Sequence, residues 1–215
     1  MKTVLLYGDS ILWGVNALTG KRHEPQDRLE KVLQAKLGPD VDVIAEGLRG
    51  RTMFDENGSF PQRNGLQQFG PIVASHLPVD ILVIMLGAND ANATTRHSGE
   101  SVADALDAYV GEVKGWCDFM KYDPPELLVV TPSDVADHEL VAFAQIFAGA
   151  AERITSIGDA ILSRAAERGW RALDARTVCK SVGQDGVHLD AVETKKLALS
   201  IAECLEPMLA TSRGE

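Results

Sequence analysis

The sequence predicts an α/β protein, a three-layer α/β/α sandwich built on a mostly parallel sheet. Three observations carry that prediction. Short apolar, β-branched runs alternate with longer segments whose apolar residues recur at helical spacing. The run VDILVIML at 79–86 is apolar almost without interruption, as a strand covered on both faces should be. No repeat, low-complexity tract or Pro/Ser linker divides the 215 residues, so a single domain over 1–215 is expected.

The elements follow in order. Residues 3–7 are the first strand, which ends abruptly at Gly8-Asp9-Ser10. Residues 27–37 are a helix, because Leu29, Val32, Leu33 and Leu37 share one face and Gly38-Pro39 stops it. The second strand is 41–45. Residues 66–76 are helical and end before Pro78. The third strand is 79–86. Over 101–121, Val102, Leu106, Tyr109, Val110 and Val113 line one side of a helix. The fourth strand, 127–130, is fenced by Pro124-Pro125 and Pro132. One long helix is expected over 140–168, a short fifth strand over 170–173 and a closing helix over 191–209. About five strands alternating with helices, joined by right-handed crossovers, give a flavodoxin-like arrangement. In such a sheet ligands bind at the carboxyl ends of the strands.

Composition narrows the partners. The chain is 45% hydrophobic, enough for a well-filled core, and its formal net charge is −10. That balance argues against nucleic acid or an anionic membrane surface, since phosphate binding needs clustered Lys and Arg. Cys117, Cys179 and Cys204 are odd in number and widely spaced, so they form neither a disulfide framework nor a metal pattern. Free thiols in a reducing cytoplasm are expected. No stretch approaches the ~20 apolar residues of a membrane span. The apolar run after Lys2 is cut by Gly8-Asp9, too early for a signal peptide.

The strand ends are the places to look for chemistry. Gly8-Asp9-Ser10 follows the first strand, and residues 46–52 (EGLRGRT) follow the second. Gly87-Ala88-Asn89-Asp90 follows the third, and Asp185-Gly186-Val187-His188 precedes the closing helix. The blocks GDSI at 8–11, GLRGRT at 47–52, GAND at 87–90 and DGVH at 185–188 resemble those of the SGNH (GDSL-type) hydrolases. That family carries Ser, Gly, Asn and His in this order, and the resemblance spans about the whole chain. The wording of the blocks is similar to the bacterial arylesterase/acyltransferase and carbohydrate acetylesterase branch. The resemblance implies the SGNH hydrolase fold, a small-molecule ester substrate, no cofactor, no metal and a homo-oligomer.

The residue chemistry stands beside the resemblance. Ester cleavage needs an activated nucleophile, a base and a group that orients the base. Ser10 suits the first role, His188 the second and Asp185 the third. A spacing of three lets one turn present Asp185 and His188 to the same pocket, eased by Gly186. The resemblance assigns the oxyanion donors to the backbone N–H of Ser10, the backbone N–H of Gly50 and the side-chain amide of Asn89. Ser10 lies in no G-x-S-x-G elbow, which disfavours an α/β-hydrolase.

Other residues carry plainer expectations. Asp9 reads as a local Asx turn, Asp90 as support for the loop around Asn89, and Gly47 as a conformational glycine. His23, His76, His97 and His138 read as solvated or loop histidines. Arg49 and Arg51 read as solvated or interface charges. Trp13, Ala88 and Val187 are the candidates for a substrate pocket. Phe54, Phe60, Phe143 and Phe147 flank the site loops and are weaker ones. The connections 11–26, 51–65 and 131–139 read as pocket walls. An acyltransferase would use the same residues. A metallophosphoesterase would need a cluster of ligands, and only His188 sits in a site block. A nucleotide-binding module would need a phosphate loop, and none follows a strand.

Overall fold

Side chains alternate across each strand, and the sheet sorts them into two cores. The structure, a computed structural model, describes residues 1–57, 61–136 and 139–211. β1 (Lys2–Gly8) pairs in parallel with β2 (Val41–Gly47) on one side and β3 (Ile81–Met85) on the other. β4 (Glu126–Val130) joins β3, and β5 (Arg171–Leu173) joins β4, again in parallel. The order among the described residues is β2-β1-β3-β4-β5, the flavodoxin-like order.

The helices are α1 (Ser10–Trp13), α2 (Leu29–Leu37), α3 (Gly65–His76), α4 (Gly99–Met120), α5 (Val141–Ile146), α6 (Ala150–Arg168) and α7 (Ala191–Thr211). Val4, Leu6, Ile81, Val83, Leu128 and Val130 face one side of the sheet, under α2 and α7. Leu5, Tyr7, Leu82, Ile84 and Val129 face the other, under α3, α4 and α6. β3 is buried throughout, as its unbroken apolar run predicts. Full burial of each such side chain stabilises the fold by roughly 1.5–3 kcal/mol. Among the described residues no helix is long and apolar enough to cross a membrane.

The expected helix over 140–168 is two helices. The break falls at Phe147–Gly149, where Gly149 takes the left-handed conformation at φ 65°. Helical apolar spacing continues through the break, so periodicity alone did not reveal it. The consequence is functional, because the break frees α5 to lie over the carboxyl end of the sheet. β1 sits between β2 and β3, so the order reverses there. The chain leaves β1 at Ser10 and β3 at Asn89, on either side of that switch point.

Candidate active site

Ser10 is the first residue of a single helical turn. Asp9 caps that turn, its Oδ1 accepting from the Ile11 N–H at 2.9 Å, the expected Asx geometry. Gly14, at φ 90°, closes it. The turn rests directly on β2. A Cβ at Gly47 would lie 2.4 Å from Trp13 N and 2.8 Å from the Leu12 carbonyl carbon. Gly47 is not in the left-handed region, so it serves close approach rather than the expected backbone conformation.

The second side chain arrives from the far end of the sequence. Gly186 turns the chain at φ 65°. Asp185 Oδ1 accepts from the N–H groups of Val187 and His188, both at 2.9 Å. Its Oδ2 lies 2.9 Å from His188 Nδ1, and His188 Nε2 lies 2.9 Å from Ser10 Oγ. The Ala17 N–H donates to the Leu189 carbonyl, tying the serine loop to the histidine loop. Ser10, Asp185 and His188 are all buried.

Charge states fix the direction of these bonds. Burial raises the Asp185 carboxyl pKa, but the bonds from the His188 ring, the His188 N–H and the Val187 N–H outweigh it. The carboxyl is therefore held below its ordinary range and is a carboxylate, which only accepts. The proton of neutral His188 must then sit on Nδ1. That leaves the Nε2 lone pair facing the Ser10 hydroxyl.

Asn89 and Gly50 border the serine. Asn89 Nδ2 donates to the Arg51 carbonyl at 3.1 Å and stands 3.4 Å from Asp9 Oδ2. Gly50 sits at φ 79° with its carbonyl held by Asn57 Nδ2 at 2.9 Å. Asp90 is wholly buried; it holds His97 in the segment that follows Asn89, and it also holds the loop after β2, which the sequence did not indicate. Both its oxygens receive the Met53 N–H, at 3.0 and 2.9 Å, and Oδ1 lies 2.9 Å from His97 Nδ1. Burial pushes Asp9 up to about 6, against the opposing Ile11 bond.

Several expectations are corrected. Arg51 is not a solvated charge. It is 3% exposed, and its guanidinium donates to the carbonyls of Gly8 and Glu46 and lies 4.1 Å from the Tyr7 ring centre. It ties the loop after β2 to the end of β1, and its Nε is buried without a hydrogen-bond partner. His23 is buried between Asn16 and Thr194. His76 lies in α3 and pairs with Glu46. His97 is a loop histidine as expected, and it stacks on Phe54 and pairs with Asp90. Phe60 and His138 lie outside the described residues.

A cavity of about 350 Å³ opens above Ser10, Asn89, Gly50 and His188. Ala88 and Val187 line it, with Phe143, Ile146 and Phe147 along one wall. The Phe143 ring meets the His188 ring edge-on, with centroids 5.9 Å apart. Arg49, Asn57 and Arg63 also line it. Trp13 is not among the lining residues. It is half-buried, with the Arg22 and Arg49 guanidiniums 4.9 and 5.4 Å from its ring. Ile146, Asn57 and Arg63 carry no block signal in the sequence. A helix break at Gly149 and a helix start at Gly65 place them here. A larger open groove of about 730 Å³ between α2 and α7 holds none of the four block residues. Among the described residues no cluster of three or more His, Cys, Asp or Glu is placed to hold a metal ion.

A buried serine, imidazole and carboxylate in one hydrogen-bonded line define the geometry of a serine hydrolase. Comparison with known proteins agrees with that class. Residues 6–192 match the model of the GDSL-like lipase/acylhydrolase family. The chain belongs to this family, the SGNH hydrolases, and is a carboxylic ester hydrolase. It is similar to the native aryl esterase of M. smegmatis, at 30% identity and a TM-score of 0.91, covering 97% of this chain and 100% of that one. It is similar to a carbohydrate acetylesterase family member from Sinorhizobium meliloti, at 33% identity and a TM-score of 0.89, covering 98% and 100%. Est24, a carbohydrate acetylesterase from the same organism, shares 27% identity at a TM-score of 0.91, covering 97% and 100%. Compared with curated protein sequences, the chain has no match.

Proposed function

We propose that the protein hydrolyses small esters, with short acyl, aryl or acetyl-carbohydrate groups, through an acyl-enzyme on Ser10. The observation that carries this is the line Ser10 Oγ–His188 Nε2 and His188 Nδ1–Asp185 Oδ2, 2.9 Å at each step, at the floor of the cavity. Ser10 Oγ attacks the ester carbonyl carbon as His188 Nε2 takes its proton. His188 returns that proton to the departing alcohol oxygen. Water then repeats the sequence on the acyl-enzyme, and the acid leaves with Ser10 restored. Asp185 holds the imidazole in one tautomer and stabilises the cation that forms.

The developing oxyanion needs preorganised donors. Ser10 N–H, Gly50 N–H and Asn89 Nδ2 border the position it would occupy. The 3.4 Å contact from Asn89 to Asp9 is the weaker of its two, so that hydrogen is the one an oxyanion takes. Each such donor contributes about 2.7–4 kcal/mol to the transition state. The cavity of about 350 Å³ suits a small ester.

The same acyl-enzyme passes its acyl group to an alcohol if an alcohol outcompetes water. The apolar wall beside His188 favours that second outcome. A panel of p-nitrophenyl esters from acetate to decanoate, with peracetylated sugars, tests the reading. Acetate and its near homologues are expected to lead. Normal turnover by Ser10→Ala would end the proposal. Acid and new ester, measured with added alcohol, separate hydrolysis from transfer.

A further inference from the structure

The fold buries one cationic side chain whose place its stability does not explain. Among the described residues, Arg51 is the one arginine or lysine that is buried. Burying a guanidinium is costly, and a well-packed apolar side chain is often the more stable choice. The sheet does not need it, because β1 and β2 pair through their backbones as far as Gly8 and Gly47. Nor are its donors fully satisfied. Nη1 donates to the carbonyls of Gly8 and Glu46, but Nη2 reaches only Gln68 Oε1, at 3.5 Å, and Nε has no partner.

What Arg51 does hold lies past the strand ends. Its contacts fall on all three segments that carry the oxyanion donors. Nη1 donates at 2.8 Å to the Gly8 carbonyl, two residues before Ser10. The Arg51 N–H donates to the Leu48 carbonyl at 3.1 Å and closes the turn that contains Gly50. The Arg51 carbonyl accepts from Asn89 Nδ2 at 3.1 Å, which orients that amide. The guanidinium is itself held in place. It lies 4.1 Å from the Tyr7 ring centre, and the Tyr7 hydroxyl donates to the Gly65 carbonyl at 2.6 Å.

We propose that Arg51 is a positioning residue for the oxyanion hole. Clamped on the Gly8 and Glu46 carbonyls, it sets where the Ser10 N–H, the Gly50 N–H and Asn89 Nδ2 converge. This rests on the esterase reading above. Arg51 does not line the cavity, so it acts through those donors and not on the ester. Such donors count only when they are preorganised where charge develops. The clamp therefore contributes in the transition state and leaves ester binding nearly unchanged. The planar fork matters as well as the charge. A lysine ammonium carries the charge but has no plane to lay on the Tyr7 ring.

The test compares Arg51→Met and Arg51→Lys with wild type on p-nitrophenyl acetate, with trifluoroacetophenone as a probe of the hole. Ser10 Oγ adds to the ketone carbon, its proton passes to His188, and the carbonyl oxygen becomes an anion that the same donors must hold. Arg51→Met is expected to lose about 100-fold in kcat, the scale of one such donor, with KM within about threefold. The Ki of the ketone should rise by the same factor as kcat falls. Arg51→Lys should lose about tenfold on both measures, and it carries the test if Arg51→Met does not fold. Arg51→Met combined with Asn89→Ala should fall at least about tenfold short of the product of the two single losses, because one donor that Arg51 positions is then gone. A kcat within about threefold of wild type in either folded variant overturns the inference. So does a kcat loss with the ketone Ki unchanged, or a double loss equal to the product. Each of these leaves the esterase reading standing. No turnover by wild type of p-nitrophenyl acetate, butyrate or hexanoate overturns the esterase reading and the inference with it.

Discussion

Replacing Gly47 with alanine should damage the site from a residue that touches no substrate. The added Cβ would stand 2.4 Å from Trp13 N, 2.8 Å from Trp13 Cα and 2.8 Å from the Leu12 carbonyl carbon. All three atoms are backbone, so no side chain can turn away. Ordinary contact begins at 3.4 Å, so relief requires α1 to move about 1 Å off β2. That turn begins at Ser10. Overpacking of this kind costs about 1–3 kcal/mol. In a chain of 215 residues that lowers Tm by roughly 2–12 °C. A displacement near 1 Å at the nucleophile costs about 100-fold in rate. Thermal unfolding and kcat on p-nitrophenyl acetate read the two effects separately. A variant within 1 °C and twofold of wild type would show that α1 is not seated as described. A lower Tm with unchanged kcat would show that its seat does not place Ser10.

Other outcomes follow from single contacts. Asp185→Asn loses the acceptor that fixes the His188 tautomer, and kcat should fall by about 10⁴-fold; a loss under tenfold would contradict the assigned orientation. His97 has a raised pKa, chiefly through its hydrogen bond to Asp90. Its contribution to stability is therefore present in full below the unfolded value near 6.5 and is lost as pH rises through the higher folded value. His97→Gln should cost more stability in urea titrations at pH 6 than at pH 9, and equal costs would refute the pairing. Gly111 and Gly115 lie within α4, and a Cβ at either meets nothing within 4 Å. Changing each to alanine should stabilise by about 0.5–1 kcal/mol, read as a higher urea midpoint; destabilisation would mean that the α4 surface is not open there.

The fold was legible because its signals are local. The apolar run at 79–86 marks a doubly covered strand, and Gly-Pro or Pro-Pro pairs mark ends. The four block residues are legible too, since each sits where a strand stops or a turn begins. Arg51 and His23 were not. An arginine reads as solvated until the carbonyls of Gly8 and Glu46 are seen to converge on it, across a sheet pairing that sequence does not display. The same holds for the cavity walls. Phe143 and Ile146 reach the site only because Gly149 breaks a helix whose apolar spacing runs on unchanged. Gly47 shows the difference in kind. Its glycine signal is visible in sequence, but the reason for it is the backbone of Trp13, more than thirty positions away in the chain.

The central claim is that Ser10 is a nucleophile activated by His188. Treating the protein with an activated phosphonate ester and mapping the adduct by peptide mass spectrometry tests it most directly. The account predicts stoichiometric modification confined to Ser10, loss of esterase activity in step with it, and labelling slowed at least 100-fold in His188→Ala. Modification at another residue, or equal labelling of Ser10 without His188, would contradict it.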